Sequence, residues 1–141
     1  MKMDGEYTLP ANVENVWNKL NDPLVLKNSI PGCTELTKEN DNEFKATVTI
    51  KIGPVSAKFN GEVKLSNIKV YEGYTISGSG KGGAAGFAKG SANIVLEKQE
   101  NSTVLKYSVE AQIGGKLAQL GSRLIDSTSK KLAGKFFDNF V

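Results

Sequence analysis

The sequence predicts an α+β fold: a curved antiparallel seven-stranded sheet wrapped around one long C-terminal helix, with two short helices after the first strand. Three observations predict it. From Cys33 onward, run after run alternates apolar with polar residues, the period of a strand with one buried and one wet face. After Gly114-Gly115 the period lengthens to that of a helix and holds over residues 116–140. Residues 77–94, SGSGKGGAAGFAKGSANI, are almost all small. A sheet face of Ala and Gly opposite a helix leaves volume unfilled unless large neighbours reach into it, because close packing requires side chains to interdigitate. The expected molecule is a container.

Met3, Gly5, Tyr7 and Leu9 alternate with Asp4, Glu6 and Thr8, a first strand stopped by Pro10. Val13, Val16, Trp17 and Leu20 fall at i, i+3, i+4 and i+7, a short amphipathic helix for which Asn12 is the N-cap. Asp22-Pro23 opens a second short helix, with proline in its first turn, and Pro31-Gly32 turns the chain. A meander follows. Phe44, Ala46, Val48, Ile50 and Ile52 share one face; after Gly53-Pro54, so do Val55, Ala57, Phe59, Gly61, Val63 and Leu65. A third run covers residues 70–77 and contains Tyr74, and the Gly-rich strand places Ala88, Gly90, Ala92, Ile94 and Leu96 on one face. Thr103, Leu105, Tyr107, Val109, Ala111 and Ile113 complete the set, with hairpin turns at 39–42 and 100–101.

The terminal helix carries a stripe of Leu117, Leu120, Leu124, Ile125, Leu132, Phe136 and Phe140, with Gln119, Arg123, Asp126 and Lys130 opposite. Its 25 residues or so would make a rod of roughly 37 Å. Gly121 lies on the inward stripe, where close approach or ligand space would explain it; Phe137 points away and is expected to be exposed.

At 141 residues the chain is expected to form one domain, 1–141, with the apolar (39%) and charged (23%) shares of an ordinary soluble protein. No apolar run approaches the ~18 residues of a membrane span, and the alternating, acid-bearing first strand does not read as a signal peptide. The single cysteine, Cys33, rules out an internal disulfide and fits a reducing, cytoplasmic setting; it reads as a small packing residue rather than a reactive thiol. Histidine is absent, which removes the commonest neutral-pH general base and metal ligand, so neither a His-based triad nor a zinc site is expected. A net charge of +3 with scattered lysines gives no nucleic-acid footprint.

Gly78, Gly80 and Gly83 spell G-x-G-x-x-G, but they lead into a strand rather than the helix N-terminus that dinucleotide binding requires, and Lys81-Gly82 fails the P-loop pattern. These glycines are expected to form a loop and bulges that bend the sheet. Tyr74 and Tyr107 are candidate cavity hydroxyls set against an ordinary aromatic core. Lys130, Lys131 and Lys135 beside Phe137 are a candidate contact for a membrane surface or acidic partner, set against a solvated helix face. No residues are expected to be catalytic or metal-binding. The expected ligand-binding wall combines Val48, Ile50, Phe59, Val63 and Tyr74 with Ala88, Gly90, Ala92, Ile94, Tyr107 and Val109 from the sheet. The helix is expected to add Leu117, Leu120, Gly121 and Leu124, around a pocket of some 300 Å³ or more.

The segments IPGC (30–33), GPVSAKFNGEV (53–63), GSGKGGAAGFAKGSA (78–92) and VEAQIGGKLAQLGSRLID (109–126) resemble CoxG, a family of carbon monoxide dehydrogenase subunits, over essentially the whole chain. The element order is similar to the START-like helix-grip fold of the SRPBCC superfamily. The resemblance implies an accessory, non-catalytic protein of a molybdenum-containing carbon monoxide dehydrogenase or related hydroxylase. Its implied roles are membrane docking of the enzyme and carriage of a quinone or similar lipid in the cavity, with no intrinsic cofactor. Since the sequence ends at Val141 without the anchor some members carry, membrane contact is expected to be peripheral, at the inner face. Two other readings stay open: a small cyclase or dehydratase, as in other branches of the superfamily, and a docking scaffold whose cavity its own side chains fill.

Overall fold

A computed structural model describes residues 1–141. Strands β1 (Lys2–Leu9), β2 (Cys33–Asn40), β3 (Glu43–Ile52), β4 (Val55–Lys69), β5 (Gly73–Lys81), β6 (Phe87–Lys98) and β7 (Thr103–Gly114) form one antiparallel sheet. Their order is β1-β7-β6-β5-β4-β3-β2. The last six strands are therefore a meander, and β1 closes the sheet by pairing with β7 from Lys2↔Glu110 to Leu9↔Thr103. Helices α1 (Val13–Leu20) and α2 (Pro23–Ser29) carry the chain from one edge of the sheet to the other. Asn12 caps α1 by accepting from the Asn15 amide at 2.8 Å, and Asp22 caps α2 by accepting from Leu24 at 2.9 Å, which satisfies amides that a helix start leaves unpaired.

The expected single terminal helix is two pieces. A 3₁₀ segment, Gly115–Leu120, comes first, and α3 (Ser122–Phe140) follows. Gly121 between them has φ +89°, a left-handed conformation that side-chain-bearing residues adopt at a cost, and nothing lies within 4 Å of where its Cβ would be. Its glycine serves a chain break, not close packing. α3 has 19 residues, so it spans about 28 Å, shorter than the rod expected. The break also rotates the stripe: Phe137 is 7% exposed, against the expectation that it faces water.

The small-residue stretch is also not one strand. Residues 77–81 finish β5, a 3₁₀ turn (Gly83–Ala85) follows, and β6 begins at Phe87. The β5–β6 register runs without a shift from Gly73↔Val95 to Lys81↔Phe87, so the glycines form a turn but none of the expected bulges. Register shifts fall instead in β2–β3 and between Ser66 and Lys69 of β4. β5 starts at Gly73 because β4 runs on to Lys69, leaving Val70 exposed in the turn.

The main core gathers Leu9, Val13, Val16, Trp17, Leu20, Phe44, Leu65, Tyr74, Leu96, Leu105, Phe137 and Phe140 at the end of the sheet covered by α1, α2 and the C-terminal half of α3. A second, smaller cluster of Phe59, Ala85 and Leu117 closes the other end under the two 3₁₀ segments.

Candidate functional site

Only 21 of 141 residues are buried, and the accessible surface is 8335 Å². A filled monomer of 15.1 kDa exposes about 7,100 Å². The excess, on the order of 1,200 Å², is surface that a solid core would have hidden.

Part of it lines a cavity of about 360 Å³ between the sheet and the helices. All 18 lining residues are hydrophobic. β1 and β7 contribute Met3, Leu105, Tyr107 and Val109; β3 to β6 contribute Phe44, Ala46, Val63, Leu65, Tyr74, Ile76 and Ile94. Alternation explains this wall, since each strand sends every second side chain to the concave face. The remaining cover is Leu20 of α1, Leu26 of α2, Ile30 and Leu36, with Ala133, Phe136 and Phe137 of α3. Ala133, Phe136 and Phe137 lie three or four residues apart, so they share one face of the helix.

Aromatic stacking holds the α3 side in place. Phe137 stacks on Tyr7 with centroids 4.1 Å apart and lies 6.2 Å from Tyr107. Tyr107 reaches across β1, its hydroxyl lying where a side chain on Gly5 would begin. Burial, with the nearby Tyr7 and Asp4, pushes the Tyr107 phenol above its usual pKa. Tyr74 is held from the other side by Trp17, edge to face at 5.5 Å and 81°. It is 8% exposed, and burial alone pushes its phenol well above the usual range.

Of the residues expected to bind ligand, the structure brings Val63, Tyr74, Ile94, Tyr107 and Val109 to this cavity. It places the other ten elsewhere. Phe59 and Leu117 are buried in the second cluster, with Ile50 and Leu120 packed against it. Val48 is half-buried opposite Phe59 on β4. Ala88, Gly90 and Ala92 keep the inward parity and are half-buried, but they lie beyond the cavity wall; a Cβ on Gly90 would run into the Glu110 carbonyl and the backbone of Ala111. Gly90 thus serves close approach of β6 to β7 rather than ligand space. Leu124 packs near Gly53 at the β3–β4 turn, and Gly121 is exposed at the chain break. The strand residues do not meet the helix around Leu117–Leu124, because that segment is the 3₁₀ turn that plugs the second cluster. The cavity lies further along, under the C-terminal half of α3. Sequence reasoning misses Leu26 and Ile30 although they stand four residues apart, the spacing of a shared helix face; Met3 and Ile76 keep the inward parity of their strands.

A broader depression of about 610 Å³ lies on the outer sheet face around Glu35, Lys45, Asn60, Glu62 and Lys81. Its wall is almost wholly polar, as the wet side of alternating strands must be. No three His, Cys, Asp or Glu side chains converge as a metal cluster would require. Cys33 is half-buried, its Sγ 3.3 Å from the Glu35 carbonyl, and burial pushes the thiol's pKa up, away from the reactive thiolate. No helix is long and apolar enough to cross a membrane.

The sequence pattern of CoxG, a family described by its carbon monoxide dehydrogenase subunits, matches residues 5–141. Among solved structures, a conserved protein from Geobacillus kaustophilus is 32% identical, with a TM-score of 0.93 over 99% of this chain and 92% of that one. A START superfamily protein from Mycobacterium smegmatis is 14% identical, with a TM-score of 0.68 over 97% and 94% of the two chains. The ZhuI aromatase/cyclase from Streptomyces sp. R1128 is 10% identical, with a TM-score of 0.66 over 99% and 90%. The last two likenesses are of fold alone, and they identify the sheet and helix as the START-like helix-grip. No curated protein matches the chain.

Proposed function

The chain belongs to the CoxG family of carbon monoxide dehydrogenase subunits, and from that premise we propose that it carries an uncharged lipophilic molecule, a quinone foremost, for a molybdenum-containing carbon monoxide dehydrogenase or related hydroxylase. The observation that carries this reading is the cavity: about 360 Å³ walled by 18 hydrophobic residues, within the size range of small-ligand sites. Its volume equals that of about twelve waters in the liquid. That suits a quinone ring and the first part of an isoprenoid tail; a longer tail has to leave the cavity.

In this reading the protein works at the inner face of the cell membrane, exchanging electrons for its enzyme through the bound quinone or docking the enzyme there. Exposed apolar side chains support a peripheral contact. Ile68, Val70 and Tyr71 are 40%, 58% and 42% exposed on and beside the β4–β5 turn, next to Lys69. The turn replaces Phe137, now buried, as the apolar partner of exposed lysines. A cyclase-type activity has less support, since the cavity wall offers two phenols and no carboxylate or amine for proton transfer.

The test is native mass spectrometry of protein purified from its own host, followed by lipid extraction and titration with a short-tailed quinone. One neutral lipophile per chain, displaced by the added quinone, is the expected result. Protein that arrives empty and takes up no quinone would sink the proposal. Val70→Glu should weaken binding to anionic vesicles while leaving quinone uptake intact.

A further inference from the structure

We infer that the occupant of this cavity is a neutral apolar molecule carrying a carbonyl-type oxygen, and that Tyr74 donates a hydrogen bond to that oxygen. This deepens the carrier reading and rests on it. Tyr74 lines the cavity and is 8% exposed, yet no protein group pairs with its hydroxyl, and burial is the only influence on its acidity. No fully buried side-chain oxygen or nitrogen in the molecule lacks a partner, so this hydroxyl is not sealed in packing. It keeps accessible surface on a residue whose surroundings are the core and the cavity. Such an arrangement is costly unless something accepts from it, because a desolvated donor left unpaired forfeits its bond to water.

The chemistry of the acceptor follows from the rest of the wall. No charged residue lines the cavity, so a carboxylate or phosphate placed there would lose its hydration and meet no cation. A carbonyl oxygen on an otherwise apolar body asks only for the one donor the wall supplies. Burial keeps the phenol protonated across the physiological range, so it remains a donor. The ring cannot readily swing away, because Trp17 stands edge-on against it at 5.5 Å.

A matched set of probes tests this: diphenylmethane, benzophenone and diphenylacetate, titrated calorimetrically into the intact chain and into Tyr74→Phe. Benzophenone should bind, and Tyr74→Phe should weaken it roughly five- to tenfold while shifting diphenylmethane less than twofold. Diphenylacetate at pH 7 should bind at least about tenfold more weakly than the ketone. Tyr71→Phe, a change to an exposed phenol that also touches Trp17, should leave all three titrations unaltered. Melting curves establish that both variants fold. An equal effect of Tyr74→Phe on ketone and hydrocarbon, or tight binding of the carboxylate, overturns the inference while the carrier reading stands. Failure of both hydrocarbon and ketone to bind overturns the carrier reading, and the inference with it.

Discussion

Lys19 and Phe140 meet twice: the lysine ammonium donates to the Phe140 carbonyl and stands 4.6 Å from the centroid of the same residue's ring. A cation at this point also faces the negative end of the α3 macrodipole. Beside it, Asn139 Nδ2 donates to the carbonyl of Ser29, itself 1% exposed, at 3.2 Å. The C-terminal turn of α3 is thereby tied to α1 and α2, the elements that roof the cavity.

Lys19→Met keeps the aliphatic stem and removes the charge. It should destabilise the protein by roughly 1–3 kcal/mol, since it deletes a charge-assisted hydrogen bond and a cation–π contact together. Urea denaturation measures the loss. Amide exchange should quicken in the last turn of α3 first; unchanged protection there would show that the clamp is held by Asn139 alone.

Gly121→Ala separates the two explanations of this glycine. The Cβ would meet open space, so the cost is that of holding a side-chain-bearing residue at φ +89°, roughly 1–2 kcal/mol. Ligand affinity should not move, because the residue lies outside the cavity wall. A weakened ligand with undiminished stability would restore the reading in which Gly121 makes room for cargo.

These two positions also mark how far the sequence reaches. Period-2 alternation specifies which face each strand buries, and Val63, Tyr74, Ile94, Tyr107 and Val109 reach the cavity because parity alone decides their side. What alternation does not carry is position along the strand. Ala88, Gly90 and Ala92 have the right parity, but where the empty space lies depends on how far α3 stands from the sheet. That distance follows from a single left-handed residue at 121, which a helical period passes over without a mark. Phe137 is misplaced for the same reason: a stripe drawn from Leu117 through an unbroken helix is rotated relative to one that starts at Ser122. The cover from α2 is illegible for a different cause, since a seven-residue helix is too short for its apolar face to be told from a turn.

Alkaline titration should report on Tyr74. Its phenol is raised above the ordinary value of 10.0 by burial, so the folded state keeps its proton where the unfolded chain has lost it. Stability is therefore unaffected by this group below about pH 10 and falls as pH rises above that, by at most about 1.4 kcal/mol per pH unit for one proton. Tyr74→Phe should flatten the decline measured by denaturant unfolding between pH 9 and 11. An identical slope in the variant would mean that the phenol is solvated in the folded protein, and it would remove the desolvated donor on which ligand selection rests.

Ala133→Leu tests whether the cavity is used. Ala133 is half-buried on the face of α3 that carries Phe136 and Phe137, and it borders the empty volume. Both residues are strong helix formers, so the helix itself should be little disturbed. The added carbons enter space that no side chain occupies, so the ligand-free protein should lose no stability, and filling a void can raise it. A bound quinone, in contrast, would compete for that volume. Its affinity should fall by roughly 1–3 kcal/mol, the cost of overpacking a fitted site, as read by quinone titration. The two measurements must move apart: stability held or raised, affinity lowered. If Ala133→Leu is well folded and binds quinone as tightly as the parent chain, the cargo sits elsewhere and this cavity is an unfilled consequence of the fold.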